Sequence, residues 1–381
     1  MLVKDVKYKT LVATLRKNIL GGKYDVDNSF PSVRAIIKRF GLSKTTVQHA
    51  LDDLVHQGLI FREQGRGTFV TKMGANRQIG LIIPGLAYSE FFHPIFSELS
   101  RLCQEKEYGL LFGGGFSSET KLRENQAIAL AKDLVKKSVC GVIMQPTEMS
   151  ENAKAVNGQI LRILEESNVP VVLLDSDIVS SPERSKYDVV GIDNDEAGRR
   201  AVRHLIGQGA RRISFASWPY SCTSIADRRI GARAEAHDHR GIAFKEVFLD
   251  PSDGDAVRRH IARFRPNAII CGYDTFAAYL KVQLEKIGKC VPDDIMMVGF
   301  DDLQDARITT PPLTTSHQPC IDIARYSFSL LLERVANRTL APRKIVLHAP
   351  LVIRASTQSG KRGDVKRNSC FGKHANKKEK S

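Results

Sequence analysis

Three carboxylates and one arginine in the later part of the chain lie just beyond apolar runs, where strands of a sheet would end. Asp175, Asp274 and Asp301 each follow such a run, and Arg228 lies near the start of a helical segment after another. Carboxylates accept hydrogen bonds and guanidinium groups donate them, so together they can hold a ligand rich in hydroxyl groups. Taken alone, each residue fits a helix cap or a surface ion pair better than a ligand contact. Their shared position past strand ends favours a binding site.

A different set of polar and basic residues begins at Gly41. A tight turn there is followed by Ser43, a residue type that caps helices, and by a helix that opens with Lys44 and Thr45. Short side chains at a helix start allow close approach to base edges in the major groove, while Lys44 and the exposed helix N-terminus can contact phosphate. The segment predicts a helix-turn-helix whose second helix reads DNA.

On the same predicted helix, apolar and polar residues lie on different faces. Four apolar residues at three- and four-residue spacing are predicted to face a core: Val47, Ala50, Leu51 and Leu54. Thr46, Gln48 and His49 remain on other faces, where one or two could contact bases, although His49 fits an ordinary surface or core histidine equally well. Further on, Arg66 precedes Gly67 at a glycine-rich hairpin tip, from which an arginine can enter a minor groove or contact phosphate.

The elements that position these residues follow from periodicity. Helices over 8–21, 32–40 and 43–57 and strands over 59–62 and 68–70 form a winged helix-turn-helix. Eight apolar runs then alternate with amphipathic stretches, which predicts an α/β fold with mainly parallel sheets in two doubly wound subdomains and a ligand cleft at the strand ends. The predicted domains are a DNA-binding domain over 1–70, a linker over 71–78, a sensor and dimerisation domain over 79–357 and a basic, disordered tail over 358–381.

Charge and composition narrow the class of protein. Among 381 residues there are 57 Lys and Arg against 42 Asp and Glu, and the excess lies in residues 1–76 (13 against 6) and 359–381 (8 against 2). This pattern favours a polyanionic partner over the alternative that the three helices are a protein-docking module. Seven scattered cysteines, without C-x-x-C spacing, predict neither a metal site nor disulfides. We expect no cofactor, no enzyme activity, no membrane segment and a cytosolic chain.

The N-terminal segment resembles the gluconate-repressor (GntR) family of regulators. The motifs are FPSVR at 30–34, FGLSKTTV at 40–47, ALDDL at 50–54, GLI at 58–60 and GRGTFV at 65–70. The resemblance implies that six residues lie at the DNA, namely Arg34, Lys44, Thr45, Thr46, Arg66 and Gly67. Lys44 stands where the family usually has arginine, and lysine provides a point charge instead of the two-pronged donor that binds guanine.

The chain from about 78 to 357 resembles the sensor domain of lactose/galactose-type (LacI/GalR) repressors, a periplasmic-binding-protein-like fold of type I. The motifs are VPDDI at 291–295, VGFDD at 298–302, PPLTT at 311–315 and LVIRAST at 351–357, with DN at 193–194, AG at 197–198 and Arg228 followed by Gly231. By this resemblance the effector contacts are Phe92, Asp175, Ser224, Arg228, Tyr273, Asp274, Asp301 and Gln318. Tyr273 replaces the usual asparagine, and Cys222 stands where a hydroxyl is common.

A GntR-type reader joined to such a sensor is similar to regulators of the arabinose-repressor type (AraR). The resulting hypothesis is a homodimeric repressor of carbohydrate genes that binds double-stranded operator DNA and responds to a monosaccharide. Three alternatives remain: a regulator that senses a non-sugar metabolite, a sugar-binding transport component, and a constitutive architectural DNA binder. The second would need an export signal and the third would need no ligand cleft.

Overall fold

The computed structural model describes residues 2–20, 23–24, 30–56, 59–71, 77–86, 89–113 and 116–358. The chain divides into two compact units, residues 1–192 with 319–347 and residues 193–318 with the chain from 348 onward. It therefore passes between the units three times. Most of the predicted linker and nearly all of the predicted basic tail lie outside the described residues, so both stay predictions.

The N-terminal part of the first unit is a three-helix domain with a hairpin. Its elements are α1 (Leu2–Leu20), α2 (Val33–Phe40), α3 (Lys44–His56), β1 (Ile60–Glu63) and β2 (Gly67–Val70). The strands pair antiparallel, with Ile60 opposite Val70 and Glu63 opposite Gly67. The four apolar residues predicted on α3 are buried together with Leu11, Leu15 and Phe30. The first helix begins at Leu2 and not at Tyr8, because helical backbone continues through residues 4–7, three of which are charged.

The remaining elements alternate strand and helix. Up to residue 192 they are β3 (Gln78–Ile82), α4 (Phe92–Glu105), β4 (Gly109–Phe112), α5 (Thr120–Lys136), β5 (Gly141–Met144), α6 (Ala153–Glu166), β6 (Val171–Leu174) and β7 (Asp188–Ile192). From 194 to 318 they are α7 (Asn194–Gly207), β8 (Arg212–Ser217), α8 (Thr223–Asp238), β9 (Ala243–Phe248), α9 (Gly254–Phe264), β10 (Ala268–Cys271), α10 (Asp274–Lys286), β11 (Met296–Asp301), α11 (Gln304–Ile308) and β12 (Thr314–His317). The chain continues with α12 (Cys320–Ala336), β13 (Lys344–Leu347), β14 (Leu351–Val352) and a 3₁₀ turn (Ala355–Thr357).

Each unit contains one six-stranded sheet. The first has the order β13-β7-β6-β5-β3-β4 and is parallel throughout. The second has the order β14-β12-β11-β10-β8-β9 and is parallel except for the short strand β14. The predicted α/β class with two doubly wound sheets is confirmed. In parallel sheets of this kind, ligand-binding residues lie past the carboxyl ends of the strands.

All eight predicted strands are present, but four others were missed. Strands β9, β12, β13 and β14 are short, partly exposed or polar, as in the Thr-Thr-Ser-His sequence of β12. The pattern of apolar residues therefore does not predict these four strands. Among the described residues, no helix is long and apolar enough to cross a membrane.

Candidate functional site

The turn before α3 is built by local hydrogen bonds. Gly41 ends α2 with a backbone φ of 64° and donates its N–H to the carbonyl of Ile37 over 2.8 Å. This left-handed conformation favours glycine. Ser43 then caps α3, because its Oγ accepts the N–H of Thr46 over 3.2 Å and lies 3.1 Å from the Thr45 hydroxyl. The predicted cap is thus present, and it fixes where the helix begins.

The polar face of α3 is open. Lys44, Thr45, Gln48 and His49 are exposed, while Thr46 is half-buried beside the cap. Residues four apart on a helix are neighbours, so Lys44 lies next to Gln48 and Thr45 next to His49. These four side chains form a continuous strip over the first two turns of α3, which we call the reading strip. Arg34 is exposed on α2.

The hairpin presents one arginine at its tip. The pairing of Glu63 with Gly67 leaves a three-residue loop, in which Gly65 has φ 79°, while Gly67 has φ 126°. Arg66 lies between the two glycines with 72% of its side chain exposed, and it forms a 3.0 Å ion pair with Glu63. Its guanidinium lies 6.0 Å from the centre of the Phe69 ring. The tip arginine is therefore accessible and partly held in place.

In the second unit, Arg228 on α8 is the centre of a buried network. Only 2% of the residue is exposed. Its Nε donates to Asn194 Oδ1 over 2.8 Å, and its Nη1 donates to the carbonyl of Gly272 over 2.9 Å. Its Nη2 lies 3.6 Å from Asp301 Oδ1, and the guanidinium stacks 4.7 Å from the Phe300 ring centre. Three separate segments thus converge on one guanidinium.

Two glycines allow α8 to reach this position. A Cβ atom on Gly198 of α7 would lie 1.9 Å from the carbonyl oxygen of Arg228. A Cβ atom on Gly231 of α8 would lie 2.0 Å from the carbonyl oxygen of Asp195. No side chain fits at these distances, so the two helix backbones touch. This contact determines how far Arg228 extends into the network.

Asp274, at the start of α10, is fully buried beside this network. Its two carboxylate oxygens accept the hydroxyl of Thr315 over 2.7 Å and the N–H of Leu303 over 3.0 Å. Gly299 makes room for it, because a Cβ atom there would lie 2.2 Å from Asp274 Oδ1. Burial raises the pKa of Asp274 well above its usual value, and the nearby charge of Asp301 raises it further.

The two consecutive aspartates at the end of β11 have different surroundings. Asp301 accepts the amide of Gln318 over 2.5 Å, and burial raises its pKa although Arg228 acts in the opposite direction. Asp302 forms ion pairs with Arg354 at 2.6 Å and Arg307 at 3.1 Å, which lower its pKa even though burial alone would raise it. Asp301 thus belongs to the buried network. Asp302 instead links the end of β11 by ion pairs to the segments that contain Arg307 and Arg354.

The other predicted effector residues of the second unit lie close to this network. Ser224 is one turn before Arg228 on α8, and its Oγ lies 2.9 Å from the sulfur of Cys222. Tyr273 precedes α10 directly after Gly272, whose carbonyl binds the arginine, and is half-buried. The structure therefore brings together six of the predicted residues: Ser224, Arg228, Tyr273, Asp274, Asp301 and Gln318.

The two remaining predicted residues belong to the first unit. Asp175 follows β6 with φ 71°, donates its N–H to the carbonyl of Val190 over 2.8 Å, and is 7% exposed. Its carbonyl oxygen lies where a side chain on Gly191 would be, at 2.4 Å from an added Cβ. Phe92 begins α4, is 4% exposed and packs over Gly85. Both lie at the carboxyl-end side of the strands of their own sheet.

Comparisons with known proteins agree with this arrangement. Residues 7–70 match the model of the bacterial regulatory proteins of the gntR family, and residues 202–357 match the model of the periplasmic binding protein-like domain. The chain joins a GntR-type reader to a periplasmic binding protein-like sensor. The predicted combination is confirmed.

One relative and two solved structures illustrate the likeness. The HTH-type transcriptional repressor PurR of Shigella sonnei (strain Ss046) is 26% identical over 361 residues, covering 88% of this chain and 99% of that protein. The transcription regulator GntR of Chromobacterium violaceum is 25% identical with a TM-score of 0.58, covering 74% of this chain and 99% of that one. A LacI-family regulator of Enterococcus faecalis V583 with bound ribose is 23% identical with a TM-score of 0.60, covering 73% and 98%.

These matches show that the chain is a DNA-binding transcription regulator, and they confirm the prediction that it is not an enzyme. The GntR-type reader contains the reading strip and the hairpin arginine. The sensor match includes the Arg228 network. Among the described residues, no group of three or more His, Cys, Asp or Glu side chains is placed to hold a metal ion.

Three residues of the sensor network were not predicted from sequence. Asn194 and Thr315 stood inside quoted motifs but had no assigned role, because nothing local shows that they hydrogen-bond to Arg228 and Asp274. Phe300 reads as an ordinary core residue of a buried strand. Its stacking under the guanidinium depends on the register between α8 and the sheet, which the sequence does not display.

Proposed function

We propose that this regulator is a dimeric repressor of carbohydrate genes whose affinity for operator DNA changes when a monosaccharide binds the sensor. The effector contacts are the predicted set, Phe92, Asp175, Ser224, Arg228, Tyr273, Asp274, Asp301 and Gln318. The DNA contacts are Arg34, Ser43, Lys44, Thr45, Thr46, Gln48, His49, Arg66 and Gly67. The reader spans 1–70, the linker 71–78, the sensor 79–357 and the tail 358–381.

The observation that carries the sugar proposal is the Arg228 network. Asp301 and Asp274 supply acceptors and Arg228 supplies donors, while the side-chain oxygen of Gln318 is buried without a hydrogen-bond partner among the described residues. A buried polar atom in this state is stabilised by a ligand that donates to it. A sugar hydroxyl donates and accepts at once, which suits such a mixed set.

The charge of the network argues against an anionic effector. Asp301 lies 3.6 Å from one guanidinium, that of Arg228, and Asp274 is buried nearby; burial raises the pKa of Asp274, and the charge of Asp301 raises it further. A further anion here would add to this repulsion in a poorly solvated site. A neutral ligand rich in hydroxyl groups avoids that cost. Ribose in the Enterococcus faecalis relative is a ligand of this chemistry.

The DNA side of the proposal rests on the exposed residues of the reader. Two copies of the chain present two reading strips to a near-palindromic operator, since a twofold dimer matches twofold symmetry in its site. Lys44 and Arg66 contact phosphate, and the short side chains between the helix start and His49 approach the bases. The regulator works in the cytosol, where such an operator is found.

The test is calorimetry of the full-length chain against a panel of pentoses and hexoses. We expect one monosaccharide to bind saturably, and Gln318→Leu to weaken that binding about 10- to 100-fold, the usual loss for a hydrogen bond in a buried charged network. Ser252→Ala, on the exposed loop after β9, is the control and should bind as the natural chain does. Binding of no sugar, with another metabolite bound instead, would remove the sugar proposal.

Coupling to DNA is measured separately by fluorescence anisotropy with operator fragments. We expect effector and operator to change each other's affinity by the same factor, because binding free energies in a cycle must close. If the effector binds without altering operator affinity, the sensor does not control DNA binding and the proposed coupling is wrong. A chain that gains no thermal stability from any sugar or metabolite would be a constitutive DNA binder.

A further inference from the structure

A pocket lies on the side of the second unit away from the Arg228 network. It is found where β10 and β11 begin, whereas the Arg228 network lies where these strands end. Its volume is about 700 Å³, which is within the range of small-molecule sites. Its apolar lining comes mainly from half-buried Ile287, and the nearly covered residues Ile261, Ile295 and Pro266 lie behind it. None of its lining residues belongs to the proposed effector site.

Four cationic side chains surround this apolar surface: Arg258 and Arg265 from α9 and the residue after it, and Lys286 and Lys289 from the end of α10 onward. Arg258 forms a long 4.0 Å contact with Asp255. The other three form no ion pair within the described part of the chain. We call this surface the basic pocket.

The negative charges beside the basic pocket sum to less than the positive charge of its arginines and lysines. Helices α9 and α10 both end beside the pocket, and each helix C-terminus carries about −0.5 of an elementary charge. The carboxylate of Asp294 adds one more negative charge and accepts the N–H of Cys290 over 2.9 Å. Even when Arg258 is counted as neutralised by Asp255, the three unpaired cations leave the pocket positive. An anion is therefore attracted to it.

From this chemistry we propose that the basic pocket binds a small organic phosphate, which acts as a second ligand of the regulator. Lysines bind phosphate as point charges, and arginines bind it through paired donors. The isoleucine and proline surface takes the apolar or planar body that carries the phosphate. The pocket and the Arg228 network lie at opposite ends of β10 and β11 and share no residue, so this ligand and the neutral sugar can bind at once.

The probe is adenosine 5′-monophosphate, compared with adenosine and with inorganic phosphate, by calorimetry on the full-length chain at fixed ionic strength. We expect saturable binding of the monophosphate, at least tenfold weaker binding of inorganic phosphate, and none of adenosine. The pocket variant is R258Q with K286Q, which should weaken binding at least tenfold. The control is R259Q with R263Q, which removes two exposed charges from the same helix outside the pocket and should change binding less than twofold.

Several outcomes would overturn the proposal. One is the absence of saturable binding by the monophosphate, and another is an equal loss in both variants, which would mean attraction by net charge alone. Displacement of the monophosphate by a bound sugar would assign it to the Arg228 network. If the natural chain does not bind the monophosphate and the pocket variant binds operator DNA less tightly, this surface is a DNA contact. The sugar panel is measured independently, so failure of either proposal leaves the other standing.

Discussion

The reading strip of the reader and the Arg228 network of the sensor use polar side chains in opposite ways. On α3 and at the hairpin tip, the functional side chains are exposed, and each is positioned by residues within a few places of it, as Ser43 positions the start of α3. In the sensor, Arg228 is 2% exposed and is held by groups 34 to 73 residues away in the chain. Local sequence thus determines the reader's surface, while tertiary packing determines the sensor's site.

The largest expected effect of this difference is on stability. Arg228→Gln leaves Asp301 buried without its guanidinium, and breaking a buried pair costs about 3–5 kcal/mol in the free energy of unfolding. Arg233→Gln removes an exposed arginine of the same helix and should cost at most about 1 kcal/mol. Urea unfolding followed by the fluorescence of Trp218, the one tryptophan of the chain, which packs against the second unit's core, measures both. A loss below 1 kcal/mol in Arg228→Gln would show that the network is not closed as described.

The helix contact that positions Arg228 provides the next test. Gly198→Ala places a Cβ atom 1.9 Å from a backbone oxygen of α8 and should destabilise the sensor by about 1–3 kcal/mol, since overpacking forces the backbones apart. Gly207→Ala is the matched control on α7, where an added Cβ meets nothing within 4 Å. There alanine's better helix propensity should leave stability unchanged or raise it by up to about 1 kcal/mol. Equal effects of the two alanines would contradict the close helix contact.

The same contrast explains what the sequence predicted and what it did not. The turn at Gly41, the cap at Ser43 and the apolar face of α3 are short-range features, so residue type and spacing were enough to predict them. The buried strands of both sheets were predicted because they are apolar. Strand β12 was missed because its buried residues are threonine and serine, whose polar groups hydrogen-bond to the 3₁₀ turn, to Asp274 and to the carbonyl of Ala349.

For the sensor site, sequence predicted which residue types follow the strands but not how they pair. Asp301 and Asp302 are adjacent and chemically identical, yet one joins Arg228 and the other joins Arg354. Neighbouring side chains of a strand point to opposite faces, so Asp301 and Asp302 are expected to face different surroundings. Their partners, however, belong to segments that are distant in sequence. Asn194 has the same difficulty, since its role depends on the contact between α7 and α8.

On the reader, substitutions should change DNA binding and leave stability almost unaltered. Arg66→Ala removes an exposed cation, so we expect weaker binding to all DNA sequences and a salt dependence with a slope lower by about 1, as for one lost phosphate contact. Its free energy of unfolding should stay within about 0.5 kcal/mol of the natural chain. Lys9→Ala, an exposed cation on α1, is the control. Anisotropy titrations between 50 and about 200 mM salt measure the slope, and a slope equal to that of the natural chain would place Arg66 away from phosphate.

The smallest expected effect concerns how Arg66 is held before DNA arrives. Its ion pair with Glu63 is exposed, and Phe69, stacked on Phe61 at 5.5 Å, supports the guanidinium from the strand side. DNA must replace the carboxylate of Glu63, so this residue competes with phosphate. Glu63→Gln should therefore tighten binding to non-specific DNA about 1.4- to fivefold, which corresponds to the roughly 0.2–1 kcal/mol of an exposed ion pair.

A change in net charge alone would also tighten DNA binding, and Asp133→Asn controls for this. Asp133 is half-exposed on α5 and pairs with Lys137, so its substitution removes the same charge away from the reader. We expect Glu63→Gln to exceed Asp133→Asn, and Glu63→Gln combined with Arg66→Ala to lose the gain, because the carboxylate acts through the arginine. If the gain persists without Arg66, Glu63 repels DNA directly. The neighbouring Glu63 would then not control how Arg66 binds DNA. The contrast between the locally positioned residues of the reader and the sensor network would hold only for α3.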